Sequence, residues 1–541
     1  MKLKSNLVPF DFPFVKKFKS NSSILKIIKA FFSAFFISNS IYLSIAREFG
    51  HLQGVIFEFL SPLLAIYGLV LLLRSDGRGW FMAGFFLSLL WFYWIALSSV
   101  YYGLHYIIPL ELLGIGLFYA VLFRLCYALR FDFLRLAALF CLPFIHFLGF
   151  DWLNWGVLSV YGTFDASWRG VLCIFLMAYF YYEGYISRYY KIFIVLTLFF
   201  VGMQYKNADY TELDSDFKLI NTQIDEASKF EKDNIAKNAD FVVDEILAAI
   251  SEGKQLIVFP ESSFAFEPQR AFGGMYFELL REFSREITIV IGAPYSTQGK
   301  YYNSAYIFSS GEVQILHKHY LVAFGEETSN LPVIGGFVRK YLLPNMIDYT
   351  RGEPLNQYFI GAQLITNAIC YEVTKEALYE KSDIIIAISN NAWFDNLVEP
   401  ALQRLLITFY ASKYGVSVYH ATNAKHTGVI MPKKSLYLHF KEWIFSGNLD
   451  LDENSNLGEN SSLNLGENSS FDKNSSENLN ENLGLDGNSS LENLSFDGNL
   501  SFDRNFSLEN LNLGENLSEN LRLDGNSNLN LNENLEIKIK K

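Results

Sequence analysis

Seven long apolar runs in the first 205 residues restrict what this chain can become. They fall near 24–45, 54–73, 79–99, 104–125, 132–150, 169–186 and 189–205. Each approaches the roughly 20 residues that carry a helix across a bilayer, although the sixth and seventh are somewhat short. In lipid every backbone polar group must be satisfied internally, so these runs are expected to be helical. No small-residue cleavage site closes the first run, and further runs follow it, so it reads as a span and not as a signal peptide. The expected plan is a basic cytoplasmic N-terminus over 1–23, with Lys2, Lys4, Lys16, Lys17 and Lys19, then a transmembrane domain of about seven helices over 24–205.

Charge sets the orientation. With the N-terminus inside, Arg74 and Arg78 join the second and third runs on the cytoplasmic side. Arg130, with Arg124 and Arg135 nearby, joins the fourth and fifth, and Arg188 and Lys191 join the sixth and seventh. The opposite loops hold only Arg47 and Arg169. Positive residues stay inside, so residue 206 onward is expected outside the cytoplasm. Glu58, Glu111, His146 and Glu183 fall within the runs, as functional groups or as ordinary polar groups between helices. The aromatic loop from Phe150 to Gly156 reads as an interfacial belt, a lipid entrance, or both.

After 206 the pattern changes to short β runs with helical segments between them, as in one layered α/β domain over 206–446. Strands are expected at Phe217–Gln223, Gln255–Glu261, Ile287–Ala293, Ser304–Ser309, Val313–Val322, Phe359–Cys370, Asp383–Asn390, Val416–Thr422 and Thr427–Met431. From 447 to 541 the chain is a low-complexity repeat rich in Asn, Leu, Ser and Glu, with units such as Gly-Glu-Asn-Ser-Ser at 458–462 and 466–470. Its apolar residues are too sparse to bury a core, so it reads as disordered, with a regular solenoid as the alternative. Asp-x-Asn-x-Ser segments around Asn474, Asn488, Asn499 and Asn505 could accept glycans. This tail carries 18 acidic and 6 basic residues, which accounts for the whole net charge of −12. The rest is neutral and presents no basic surface for nucleic acid.

Three residues are candidates to carry chemistry. Cys370 ends an apolar, β-branched run and precedes a helix-like segment from Thr374 to Lys381. A cysteine at such a turn faces the positive end of a helix, which favours the thiolate, though most cysteines are simply small core residues. Glu261 follows Leu256-Ile257-Val258-Phe259-Pro260, which puts a carboxylate at a strand's C-terminal edge, or a solvated strand end there. Lys318 lies in an otherwise apolar β-like run, as part of the chemistry or as an edge-strand charge. Cys126, Cys141 and Cys173 sit in apolar runs without metal or disulfide spacing.

In order, Pro260-Glu261, Lys318-His319-Tyr320-Leu321-Val322-Ala323-Phe324-Gly325-Glu326 and Ile369-Cys370-Tyr371-Glu372 resemble the Glu–Lys–Cys triad of the nitrilase superfamily. The words around them, with Tyr349-Thr350-Arg351-Gly352, Ile388 to Phe394 and Ala421-Thr422-Asn423, resemble those of the membrane-fused apolipoprotein N-acyltransferases. The resemblance spans about 24 to 431. It implies a four-layer αββα sandwich behind an α-helical multispan membrane domain, in a bacterial inner membrane with the catalytic domain periplasmic. It implies catalytic Glu261, Lys318 and Cys370, supported by Glu326, Tyr371 and Glu372. It implies a ping-pong acyltransferase with a membrane phospholipid as donor and a diacylglyceryl apolipoprotein as acceptor, needing no cofactor and no metal. His317 and His319 share a strand face and could ligate a metal, but the motif accounts for them. The alternatives are a membrane-bound amidase hydrolysing a C–N bond, and a scaffold whose acidic tail binds partners.

The chain departs from the family pattern in four places. Phe230 stands where a Trp is usual, Ala323 replaces a Pro, and Ala424-Lys425-His426 interrupts a Thr-Asn-x-Gly run. A final transmembrane helix is expected to be missing, because the segment after Met431 is too short and too charged to span.

Overall fold

The structure, a computed structural model, describes residues 23–441 apart from 49–54, 147–148, 227, 271–272, 324, 328–333, 338–339, 342–346, 395 and 439–440. The N-terminal lysines, Phe324 and the repeat tail lie outside the described residues. The seven apolar runs become nine helices among the described residues, not seven: α1 (Ser23–Ile37), α2 (Asn39–Glu48), α3 (Val55–Leu73), α4 (Gly77–Phe92), α5 (Trp94–Leu97), α6 (Ile108–Ala128), α7 (Asp132–Cys141), α8 (Trp168–Tyr182) and α9 (Arg188–Gly202).

Two runs break because side chains take over backbone hydrogen-bonding groups at the junction. Asn39 Nδ2 donates to the carbonyls of Phe36 (2.6 Å) and Ser61 (3.1 Å), and α2 leaves α1 at 59°. Trp94 Nε1 donates to the Trp91 carbonyl (2.7 Å) where α5 turns 50° from α4. The helix His105–Ala128 is long and apolar enough to cross a membrane by itself; each bent pair is so only when counted as one span. Phe59–Leu73 and Trp168–Tyr182 are shorter apolar helices. On α6, Leu110, Leu113, Leu117, Val121 and Leu125 are exposed at helical spacing, an apolar stripe that suits contact with lipid.

The second half holds two five-stranded mixed sheets. In the first, β1 (Phe217–Leu219), β2 (Leu256–Val258) and β3 (Thr288–Thr297) run parallel, and β4 (Lys300–Ser309) and β5 (Glu312–His317) continue antiparallel. In the second, β7 (Gln363–Ile369), β8 (Ile384–Asn390) and β9 (Ser417–Asn423) are parallel, flanked antiparallel by β6 (Gln357–Ile360) and β10 (Gly428–Ile430). The expected single strand Phe359–Cys370 is a hairpin, β6 to β7, that turns at Gly361 with φ of 56°. The expected strand Val313–Val322 stops at His317, so Lys318 lies just past a strand and not within one.

Alternation along the strands separates three cores. Leu256, Val258, Val290 and Ile307 of the first sheet meet Ile365, Ile384, Ile386 and Ile388 of the second. Ile257, Ile289 and Ile291 face outward onto α10 (Lys232–Ser251) and α11 (Gly274–Phe283). After two short helices, α12 (Ile334–Phe337) and α13 (Glu376–Tyr379), comes α14 (Val398–Tyr414), onto which Ile385, Ala387 and Val418 face outward.

That third core does not stop at α14. It runs on into Trp155, Trp91, Phe175 and the other buried side chains of the helical domain. A helix buried on all sides needs an apolar surface all round, and α14 is buried at 13 of its 17 positions. Polar bonds cross the same seam: Trp152 Nε1 donates to Thr374 Oγ1 (2.9 Å) and Asn154 Nδ2 to Tyr410 Oη (2.8 Å). Lys433 Nζ donates to the carbonyls of Ser159 (3.1 Å) and Phe164 (2.8 Å). The aromatic loop therefore differs from a belt: Trp152 is buried against the α/β domain and Trp155 within the helical domain, on Trp91 and Phe175.

Candidate active site

Lys318 and Cys370 directly follow the last residue of a strand and Glu261 stands three residues past one, at the edge where ligands of such sheets are bound. Glu261 is 5% exposed. Its Oε2 accepts from the Asn390 backbone N–H (2.9 Å) and its Oε1 from Asn303 Nδ2 (2.7 Å) and Lys318 Nζ (3.4 Å). Gly292 of β3 lets the Pro260–Ser262 turn lie this close, since a Cβ there would stand 2.6 Å from Glu261 Cα.

Lys318 is 1% exposed and its Nζ also donates to Glu326 Oε1 (2.8 Å). Burial opposes its charge, but Glu326 and Glu261 outweigh burial and hold the ammonium well above the ordinary lysine range. The Tyr349-to-Gly352 segment fixes its backbone. The Gly352 N–H donates to the Lys318 carbonyl (2.9 Å), and a Cβ on Gly352 would fall 2.1 Å from the His317 oxygen. Burial first, then Glu326 and Glu261, push the Tyr349 phenol up to about 12.

Cys370 opens a 3-10 turn, Cys370–Thr374, with φ of 53°, a left-handed conformation that is strained for a side chain. The expectation of a resting thiolate is corrected here. Burial raises the thiol well above the ordinary cysteine range, Glu261 adds to the rise, and Lys318 opposes it. The turn is too short and the site too enclosed for a helix dipole to prevail.

The three supporting residues take different places. Glu326 Oε1 accepts from Lys318 and from Asn303 Nδ2 (2.9 Å), and its Oε2 from the Val322 N–H (2.9 Å). Glu372 Oε1 accepts from the N–H groups of His319 (2.7 Å) and Tyr320 (3.1 Å), and its Oε2 from that of Ile369 (2.9 Å). It thus ties the segment after Lys318 to the cysteine turn; burial raises its pKa while those N–H groups oppose the rise. The Tyr371 hydroxyl points away, toward the helical domain. It donates to the Gly149 carbonyl (2.7 Å) and accepts from the Asp151 N–H (3.1 Å) and Lys375 Nζ (2.9 Å). Lys375 Nζ also donates to Asp151 Oδ2 (2.6 Å) and the Gly149 carbonyl (2.7 Å).

Asn303 was not singled out from sequence, yet it bridges Glu261 and Glu326. Its only signal was an amide in the aromatic run Tyr301-Tyr302-Asn303. His317 Nδ1 pairs with Ser304 Oγ (2.8 Å) and His319 Nδ1 with the Gly352 carbonyl (2.7 Å). Beside the site, Trp393 stacks with Tyr102 of the helical domain, and the Tyr101 hydroxyl donates to the Ala392 carbonyl (2.9 Å).

Two family models match the sequence: the apolipoprotein N-acyltransferase integral membrane domain over residues 24–203 and carbon-nitrogen hydrolase over residues 204–434. The chain is 52% identical over 445 residues to the apolipoprotein N-acyltransferase of Campylobacter jejuni, covering 82% of this chain and 97% of that protein. It is 34% identical over 408 residues to that of Wolinella succinogenes, covering 74% and 95%. It is 30% identical over 413 residues to that of Helicobacter pylori, again covering 74% and 95%.

Proposed function

The chain belongs to the apolipoprotein N-acyltransferase family, and from that premise we propose that Glu261, Lys318 and Cys370 carry out its acyl transfer through a thioester on Cys370. The observation that carries this reading is the convergence of one buried carboxylate, one buried ammonium and one half-buried thiol that interact electrostatically.

The raised pKa of the thiol calls for a base, and Glu261, the carboxylate whose charge adds to that rise, serves as it. Glu261 takes the Sγ proton as the sulfur attacks an ester carbonyl of a membrane phospholipid. Lys318 and the Tyr371 backbone N–H stabilise the oxyanion. Protonated Glu261 then donates to the departing lysophospholipid oxygen. In the second half, the α-amine of a diacylglyceryl-cysteine attacks the thioester, Glu261 again accepts a proton, and the N-acylated product leaves. A positioned proton carrier typically contributes about 10²–10⁴-fold and one oxyanion donor about 10²–10³-fold. Glu326 orients Lys318, Glu372 fixes the turn that presents the sulfur, and Tyr371 secures that turn to the helical domain.

Both substrates are lipid-anchored, which suits a site fused to an apolar helical domain. We place that domain across the inner membrane in about seven crossings, with the α/β domain on the periplasmic side, on the distribution of Arg and Lys between loops. The test is complementation of a Gram-negative cell depleted of its own acyltransferase, with mass spectrometry of the Cys370 peptide. Growth and a fatty-acyl thioester are expected, and both are lost in Cys370→Ala. A small-acid thioester without growth would indicate an amidase, and growth sustained by Cys370→Ala would remove the sulfur from the mechanism.

A further inference from the structure

Glu399 lies in the first turn of α14 and has no part in the chemistry above. It is 2% exposed, and its Oε2 has no hydrogen-bond partner among the described residues. Two neighbours share this condition: Gln403 Nε2, one turn along the same helix, and Asn391 Oδ1, in the turn that also carries Trp393. A buried polar atom without a partner is costly, and three together mark a place prepared for a polar guest. Glu399 is in electrostatic reach of Glu261, and the Cys370 thiol feels its charge in turn.

We propose that Glu399 receives the α-ammonium of the acyl acceptor and holds its nitrogen beside the Cys370 thioester. The inference rests on the thioester mechanism above. The two substrates differ in one respect at the reacting atom: the donor brings a neutral ester, the acceptor a cation. Lys318 already lies between Glu261 and Glu326, so the carboxyl left for an incoming cation is Glu399. Its carboxyl is pushed up to about 8 by burial and then by Glu261, so it is neutral while the donor reacts and ionises as the cation enters.

The protons balance. Glu399 releases one to solvent as R–NH₃⁺ binds, and the ammonium passes one to the Glu261 carboxylate. The free amine attacks the thioester carbon, and the C–N bond forms as the C–S bond breaks. The sulfur leaves as thiolate and takes the second N–H proton. The proton held on Glu261 returns to Glu399, and one proton has been released overall.

The test uses the full-length enzyme in phospholipid–detergent micelles, with a synthetic diacylated lipopeptide bearing a free α-amine. In Glu399→Gln the KM for the lipopeptide is expected to rise about tenfold or more, the scale of a lost charge-assisted hydrogen bond, with a much smaller change in lysophospholipid release. Glu399→Asp should recover part of the loss. Hydroxylamine, uncharged at neutral pH, should cleave the thioester equally well in wild type and Glu399→Gln. The inference is overturned if the lipopeptide KM is unchanged in Glu399→Gln, or if lysophospholipid release and hydroxylamine cleavage fall in the same proportion as aminolysis. Failure of wild-type Cys370 to form any thioester would instead remove the mechanism on which it rests, and the same mass spectra record it.

Discussion

Asn303→Asp keeps the volume of the side chain and exchanges an N–H donor for a carboxylate oxygen. In the native site, Nδ2 lies 2.7 Å from Glu261 Oε1 and 2.9 Å from Glu326 Oε1. These are two hydrogen bonds to charged groups, each worth about 1.5–3 kcal/mol. Aspartate removes both and adds a third negative charge. At an effective dielectric of about 20, unit charges 4 Å apart repel by about 4 kcal/mol, and this charge faces two others. Asn303→Ala removes the donor without adding charge. The assay is the rate of fatty-acyl addition to Cys370 by intact-mass spectrometry, with thermal unfolding recorded in parallel. Alanine should slow acylation by about 10²- to 10⁴-fold, since the two bonds together are worth about 3–6 kcal/mol and each 1.4 kcal/mol is a factor of ten, and aspartate by at least tenfold more. Acylation by Asn303→Asp at the wild-type rate, or faster than by Asn303→Ala, would refute the bridging role.

Gly352→Ala must push its new Cβ away from the His317 oxygen, 2.1 Å distant, and so move Lys318; acylation should fall at least about tenfold, whereas Gly274→Ala, with nothing within 4 Å of its Cβ, should leave it unchanged. Lys375→Met leaves Asp151 without its ammonium across the domain seam, so unfolding should become easier by about 3 kcal/mol, read as a lower Tm in detergent. Glu399 gives a pH signature. Its folded pKa of about 8 lies above the ordinary 4.5, so the native state holds a proton that the unfolded chain releases. Its contribution to stability is full below about 4.5, declines as pH rises toward about 8, and is absent above. Glu399→Gln should flatten that part of the Tm-against-pH curve, and a parallel curve would argue against a buried neutral carboxyl.

The strands that lead to Glu261 and Cys370 were legible from β-branched runs and breakers, that before Lys318 was read too long, and the grouping of the three rests on the resemblance and not on any local pattern. The rest was less legible for identifiable reasons. Helix breaks at Ser38–Asn39 and Tyr93 depend on which distant carbonyl a side chain reaches, as Asn39 reaches Ser61, and no local pattern encodes that. The β6–β7 hairpin hides in an apolar run because Gly361 alone marks its turn. The raised pKa of Cys370 follows from its packing against the core between the two sheets and from Glu261, and local sequence points the other way, toward a helix start. Asn303 gains its meaning from Glu261 and Glu326, each more than 20 positions away, and Glu399 gains part of its own from distant Glu261. Trp152 and Trp155 have the composition of a lipid-facing belt, but Trp152 meets Thr374 and Tyr371 of the cysteine turn and Trp155 packs on Trp91 and Phe175 inside the helical domain.

The interior that passes without interruption from Trp91 and Trp155 through α14 to the outer face of the second sheet has a consequence for dissection. Severing the chain near residue 204 would strand Phe409, Leu402 and Tyr379 in water, and the liberated fragment would clump. Heat or denaturant should collapse both halves in one transition. Tyr371 and Val373 of the cysteine turn belong to this same interior, so the turn and the helices should move as one body and not across a hinge.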